Sequence, residues 1–256
     1  MHKKSNHGII IEKISEVEIM ILYYLRHGDP IYNPDSLTPL GHRQAEALAK
    51  RLSVYGLDKI YASTSNRAIQ TAQPTCEMLK MEMETLAFAD ERYAWEDLAV
   101  ETDEGRTWGV KSKRLMELAS SPEMMSLYHK WYEHPEIMEL GMQKGIERIL
   151  KESDEFLKEL GFEHIKDTGT YKVIKPKYER VALFAHYGFG MAFLSCILDI
   201  PYPVLIKHFD MGHTGMTVID FKEKDGIATP RILTMSSDSH IYKEGLPTNH
   251  VNEIRY

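Results

Sequence analysis

Two stretches of the chain are apolar at nearly every position, and each ends on a histidine. The first, Ile19-Met20-Ile21-Leu22-Tyr23-Tyr24-Leu25, stops at Arg26-His27-Gly28; the second, Val181-Ala182-Leu183-Phe184-Ala185, stops at His186. Such runs, bounded by polar residues and glycine, predict buried strands. In open α/β sheets ligands gather at the carboxyl ends of the strands, where these histidines stand. Between the two runs the hydrophobic period lengthens. Ala45, Leu48, Ala49 and Leu52 give a helix one buried stripe, with Thr38 as its N-cap and Pro39 in its first turn. Gly56 ends that helix, and residues 57–63 predict a short strand. A second helix opens near Ser65-Asn66 with Ala68, Ala72, Cys76 and Leu79 on one face; Pro74 within it predicts a kink or a loosened turn.

Residues 85–88 predict a third strand. From about 93 to 161 the pattern is mostly helical, with helices predicted at 111–119, 122–133 and 143–160, the last stopped by Gly161. We read this stretch as a cap over the carboxyl edge of the sheet. A small hairpin is predicted within 162–177, an apolar helix from Gly188-Phe189-Gly190 to Leu198, and antiparallel strands at 214–221 and 231–235 joined by a turn at Asp225-Gly226. One domain over 1–256 with a cap inserted at about 93–165 is the simplest division. Residues 1–17 are expected to form a loosely held tail or to add an edge strand at 8–11.

Composition narrows the function. At 256 residues the chain can bury a full core, and a formal charge of −7 argues against a broad nucleic-acid surface. Cys76 and Cys196 are too few and too isolated for a disulfide framework or a cysteine-based zinc site. The twelve histidines are scattered, without the His-Glu-x-x-His spacing of a helical metal site. Glu12, Glu16 and Glu18 interrupt any signal-peptide core, and no uncharged stretch approaches membrane-spanning length, so the expected location is cytoplasmic.

Arg26 and His27 pair a phosphate-matching guanidinium with an imidazole nucleophile, and Gly28 lets both the backbone turn and a ligand approach. Ser63-Thr64-Ser65-Asn66-Arg67 opens a helix with hydroxyls, free amides and a cation, which together suit an anion. Each has a plainer reading: a structural histidine, or Ser65 or Asn66 as an ordinary cap with Arg67 on the surface. His186 occupies the same station as His27 on another strand, so one sheet aims both at one point.

Taken together, Leu25-Arg26-His27-Gly28 with Asn33, the run Leu37-Thr38-Pro39-Leu40-Gly41-His42-Arg43-Gln44-Ala45, Arg67-Ala68-Ile69-Gln70-Thr71-Ala72 and Phe184-Ala185-His186 resemble the histidine phosphatase superfamily. The resemblance implies an α/β fold, a three-layer α/β/α sandwich with a mostly parallel central sheet and an inserted helical cap. It implies that His27 is the nucleophile that becomes phosphohistidine, that Arg26, Arg67 and His186 hold the phosphoryl oxygens, and that Asn33 and the backbone at Gly28 add contacts. No metal or cofactor is implied; the expected partner is a small phosphorylated metabolite or inorganic phosphate, not nucleic acid or membrane.

A carboxylate after the third strand is the family's proton donor, and two residues compete for that place. Arg92-Tyr93 before it favours Glu96; Glu91, in Asp90-Glu91-Arg92, fits the mutase-like pattern. Tyr187 stands where relatives have glycine and is expected to shape the pocket, and His213 is a further candidate to line it. The Gly-Ala-Leu-Gln-Gly-like run of phosphoglycerate mutases is missing. The expectation is therefore a phosphatase, with a mutase and a non-catalytic phospho-ligand-binding module as alternatives.

Overall fold

The computed structural model describes residues 19–103, 105–109, 112–175 and 179–248. The tail and edge strand expected in residues 1–17 lie outside the described residues. Strand β1 (Ile19–Arg26) is the first apolar run. A short hairpin, β2 (Pro30–Tyr32) and β3 (Asp35–Leu37), leads from it to α1 (Pro39–Tyr55), β4 (Lys59–Ser63), α2 (Asn66–Leu79) and β5 (Glu84–Leu86). The Thr38 side chain accepts a bond from the Gly41 amide at 3.0 Å and caps α1 as its sequence predicts. Helix α2 runs through Pro74 without ending there.

Beyond β5 a single 3₁₀ turn (Ala87–Ala89) leads into α3 (Glu91–Leu98). Next comes a hairpin, β6 (Ala99–Thr102) with β7 (Gly105–Trp108), inside the stretch expected to be helical. Helices α4 (Lys113–Leu118), α5 (Pro122–Leu127), α6 (Pro135–Glu139) and α7 (Met142–Glu159) follow. The helix expected over 122–133 divides at Tyr128, whose φ of 39° ends α5 and starts a 3₁₀ stretch (Tyr128–Glu133). The remaining elements are the hairpin β8 (Phe162–Ile165) and β9 (Thr170–Val173), β10 (Glu179–Ala185), α8 (Tyr187–Leu198), α9 (Tyr202–His208), β11 (Met216–Lys224), β12 (Ile227–Ser237) and α10 (Ser239–Lys243).

Among the described residues eight strands form one sheet in the order β5-β4-β10-β1-β11-β12-β9-β8. The four that carry the site, β5, β4, β10 and β1, run parallel; from β11 onward each pairing is antiparallel. The expected hairpin of residues 162–177 thus closes the far edge of this same sheet.

Alternation along β1 sorts the two layers. Leu22 and Tyr24 pack with α3, α7 and α8 on one face, whereas Tyr23 and Leu25 pack with Leu48, Leu52, Ala72 and Cys76 of α1 and α2 on the other. Burying both faces is what requires strands without polar alternation. The register Leu25↔Phe184 and Arg26↔Ala185 sets the ends of β1 and β10 level. Among the described residues no helix is long and apolar enough to cross a membrane.

Candidate active site

His27 and His186 follow immediately on those two level strand ends, and their rings lie 5.2 Å apart. The His27 amide donates to the Ala185 carbonyl at 2.9 Å, so β10 itself fixes the spacing. His27 Nδ1 lies 2.7 Å from the Gly28 carbonyl, which only accepts; Nδ1 therefore carries the proton and Nε2 carries the lone pair. The turn that allows this is tight. The Gly28 amide donates to Thr71 Oγ1 at 3.0 Å, and a Cβ on Gly28 would sit 2.7 Å from the Gly41 carbonyl oxygen.

His186 is oriented at every polar atom. Its Nδ1 accepts from Arg67 Nη2 at 3.2 Å, so Nε2 bears the proton and faces Ser63 Oγ at 2.8 Å and Ser65 Oγ at 3.1 Å. The Tyr24 hydroxyl donates to the His186 carbonyl at 2.6 Å and accepts from its amide at 3.2 Å. A Cβ on Gly190 would fall 2.5 Å from that hydroxyl, so the first turn of α8 needs a glycine there.

Arg67 is buried at the start of α2 rather than lying on the surface. Its Nη1 pairs with Asp35 Oδ1 at 2.7 Å, and Tyr32 stands over the guanidinium at 5.4 Å. Asp35 also accepts from the Asn66 amide at 2.7 Å and so provides the helix cap expected of Ser65 or Asn66. Arg26 Nη1 donates to the Met211 carbonyl at 2.5 Å, Nη2 donates to His213 Nε2 at 3.0 Å, and Tyr187 stands over the guanidinium at 5.8 Å.

Burial pushes His27 well below the usual histidine range, and His186, Arg26, Arg67 and His213 add to the shift. His186 is lowered by burial and then by Arg67. Both imidazoles are neutral at neutral pH, which leaves His27 Nε2 able to attack. Among the described residues no group of three or more His, Cys, Asp or Glu side chains is arranged to hold a metal ion.

Of the two competing carboxylates the structure brings Glu91 to the cluster and leaves Glu96 out. Glu91 accepts from the Gly188 amide at 3.0 Å and the Phe189 amide at 2.9 Å, at the amino end of α8. Burial raises its pKa, against the pull of those amides and of Arg67 and Arg26. Asp90, held at about 2 by its bonds from Arg92 and Thr64 despite burial, caps α3 and sets the direction in which Glu91 points. Glu96 is exposed, and its carbonyl accepts from Arg106. Five residues at 100° each turn it about 140° away from Glu91 around the helix. Asn33 is likewise exposed, in the turn between β2 and β3.

A family model described as the histidine phosphatase superfamily, branch 1, matches residues 22–155, just over half of the chain. The chain belongs to this superfamily. No curated protein matches the sequence. Among solved structures, a phosphoserine phosphatase variant from Entamoeba histolytica in complex with phosphoserine is similar, with a TM-score of 0.55 and 20% identity over 87% of this chain and 99% of that one. The mycobacterial glucosyl-3-phosphoglycerate phosphatase gives 0.54 and 18% over 85% and 98%. An Escherichia coli protein described as a putative alpha-ribazole-5'-P phosphatase gives 0.52 and 17% over 86% and 97%. These likenesses establish the histidine phosphatase fold. Asp35, which holds Arg67, and Tyr24, which holds the His186 backbone, carry no sequence signal beyond being polar side chains in strands, whereas Ser63 belongs to the hydroxyl-rich stretch before Arg67.

Proposed function

We propose that this histidine phosphatase hydrolyses a small phosphomonoester, without a metal, through a phosphohistidine on His27. The observation that carries the reading is the tautomer: Nδ1–H is committed to the Gly28 carbonyl, and Nε2 keeps its lone pair beside two arginines. Nε2 attacks phosphorus, the bond from phosphorus to the ester oxygen breaks, and protonated Glu91 gives its proton to that oxygen. The Glu91 carboxylate then takes a proton from water, the water oxygen attacks phosphorus, the P–N bond breaks, and inorganic phosphate leaves with Nε2 restored. Arg26, Arg67 and His186 stabilise the charge on the phosphoryl oxygens, which is most of what phosphoryl transfer asks of a protein. Arg67 Nε, buried without a protein partner, is a donor available to one of those oxygens. The Gly28 backbone and Tyr187 border the same pocket.

The raised pKa of Glu91 suits a group that must be protonated in the first step and a base in the second. Because Glu91 lies in the mutase-like Asp-Glu-Arg setting, phosphoglycerate mutase activity is the second reading to test. The phosphoserine phosphatase has been crystallised with 3-phosphoglyceric acid as well as phosphoserine, so both belong in the assay. Phosphate release from p-nitrophenyl phosphate, phosphoserine and 3-phosphoglycerate with EDTA present, and isomerisation of 3-phosphoglycerate, are measured for wild type and His27→Ala. EDTA-resistant release that falls about a thousandfold or more in the variant is expected. Full activity in His27→Ala would overturn the mechanism, and isomerisation faster than release would assign a mutase.

A further inference from the structure

The loop between α9 and β11 carries His213 into the site, on the opposite side of His27 from His186; the His27 and His213 rings lie 5.8 Å apart. Its Nε2 accepts from Arg26 Nη2 at 3.0 Å, so the proton is on Nδ1, which lies 3.4 Å from Asp29 Oδ1. Asp29 is held in turn by Thr38 Oγ1 at 2.6 Å and, through its amide, by Gln44 at 2.8 Å. A chain of contacts therefore runs from the start of α1 through Asp29 and His213 to Arg26. Arg67 has the same kind of partner in His186 Nδ1. Each arginine of the pocket thus has one imidazole among its partners, beside Asp35 for Arg67 and the Met211 carbonyl for Arg26.

Resting on the phosphatase reading, we propose that His213 is a positioning residue, whose unprotonated Nε2 fixes the Arg26 guanidinium against the phosphoryl group without neutralising it. A carboxylate at that point would orient Arg26 equally well, but it would add a further negative charge to those of Asp210 and Glu91, which already act on Arg26, and would repel a phosphate dianion. An apolar ring would take the acceptor from Nη2, leaving that side of the guanidinium less firmly placed while Nη1 stays on the Met211 carbonyl. Burial and then Arg26 lower His213 to about 3, so the acceptor stays unprotonated across the neutral range. The loop does not depend on the imidazole for its own shape. The Thr214 amide donates to the His27 carbonyl at 3.1 Å, the Arg26 amide donates to the Gly215 carbonyl at 3.3 Å, and His240 Nε2 donates to Thr214 Oγ1 at 3.0 Å.

The test compares His213→Phe, His213→Gln and His213→Glu in the full chain. Two readouts are taken: kcat and KM for p-nitrophenyl phosphate, and the affinity for inorganic phosphate by calorimetry, which needs no turnover. His213→Phe is expected to lower kcat/KM by about 10- to 100-fold and to weaken phosphate comparably, as loss of one bond to a charged group does. Gln, a neutral acceptor of similar reach, restores both to within about threefold, whereas Glu keeps the fold and loses phosphate affinity at least as far as Phe. Phosphate affinity and kcat/KM unchanged in His213→Phe, or Gln as damaging as Phe, would overturn the proposal. Should Phe fail to fold, the contrast between Gln and Glu decides it: equal phosphate affinity in those two overturns it. A wild-type chain that binds phosphate but releases none from any ester counts against the phosphatase reading, while the calorimetric series still judges His213.

Discussion

The two ends of α8 hold buried histidines in opposite states. At its amino end, His186 and its neighbours His27 and His213 are kept neutral by burial and by the arginines among them. At its carboxyl end, His164 of β8 lies with Nδ1 2.8 Å from Asp154 Oδ1 and Nε2 3.1 Å from Asp199 Oδ2, its ring stacked on Tyr171 at 4.6 Å. Burial alone would lower His164 as well, but its bonds to both carboxylates outweigh it and lift the pKa to about 9. The same side chain is held neutral, with a free ring lone pair, in one place and becomes an ionic clamp in the other. What its two ring nitrogens face decides which.

The sharpest test of the pocket end is the pair of carboxylates. Glu91→Gln is expected to lower kcat by about 10²- to 10⁴-fold on an ester with a poor leaving group, and Glu96→Gln to leave it within about twofold. The reverse order would return the proton donor to Glu96. At the clamp end the expected loss is of stability. His164→Gln leaves two carboxylates facing a neutral amide, which costs about 2–3 kcal/mol once the partial exposure of Asp154 is allowed for. Urea unfolding measures this, and kcat of the folded variant at 25 °C should match wild type. The smallest effect is in pH. The folded pKa of His164 is raised, so the clamp's contribution is complete below the unfolded value of about 6.5 and fades as pH rises through about 9. Wild-type unfolding free energy should therefore fall over that window more steeply than that of His164→Gln; parallel curves would mean that His164 is neutral in the folded protein.

The amino-acid pattern discloses the pocket end far better than the clamp. Two apolar runs ending on histidines identify β1 and β10, and Arg67 stands where a helix must begin; period places these three residues, and the family resemblance gathers them into one site. Glu91 and Glu96 differ only in where α3 starts, and a helix start set by the buried Asp90 cannot be read from a run as mixed as Asp90-Glu91-Arg92-Tyr93. The β6–β7 hairpin lacks the apolar alternation that marks a strand. Asn33 is exposed in the turn: a motif gives its distance from β1, whereas the β2–β3 hairpin decides which way it faces, and that hairpin brings Asp35 and Tyr32 to Arg67. The clamp joins Asp154, His164 and Asp199 from three separate elements, and no local spacing foretells it.

Strand β10 lies between β4 and β1, so the two earliest strands of the main sheet never touch each other. Tyr24 and the backbone of His186 that it holds are 162 positions apart. A growing chain that has already made Arg26, His27 and Arg67 still lacks the strand that sets their separation. The pocket therefore closes only through a long-range contact, of the kind that makes folding slow. Amino-terminal fragments, however well their helices form, carry His27 without the strand that sets it beside His186.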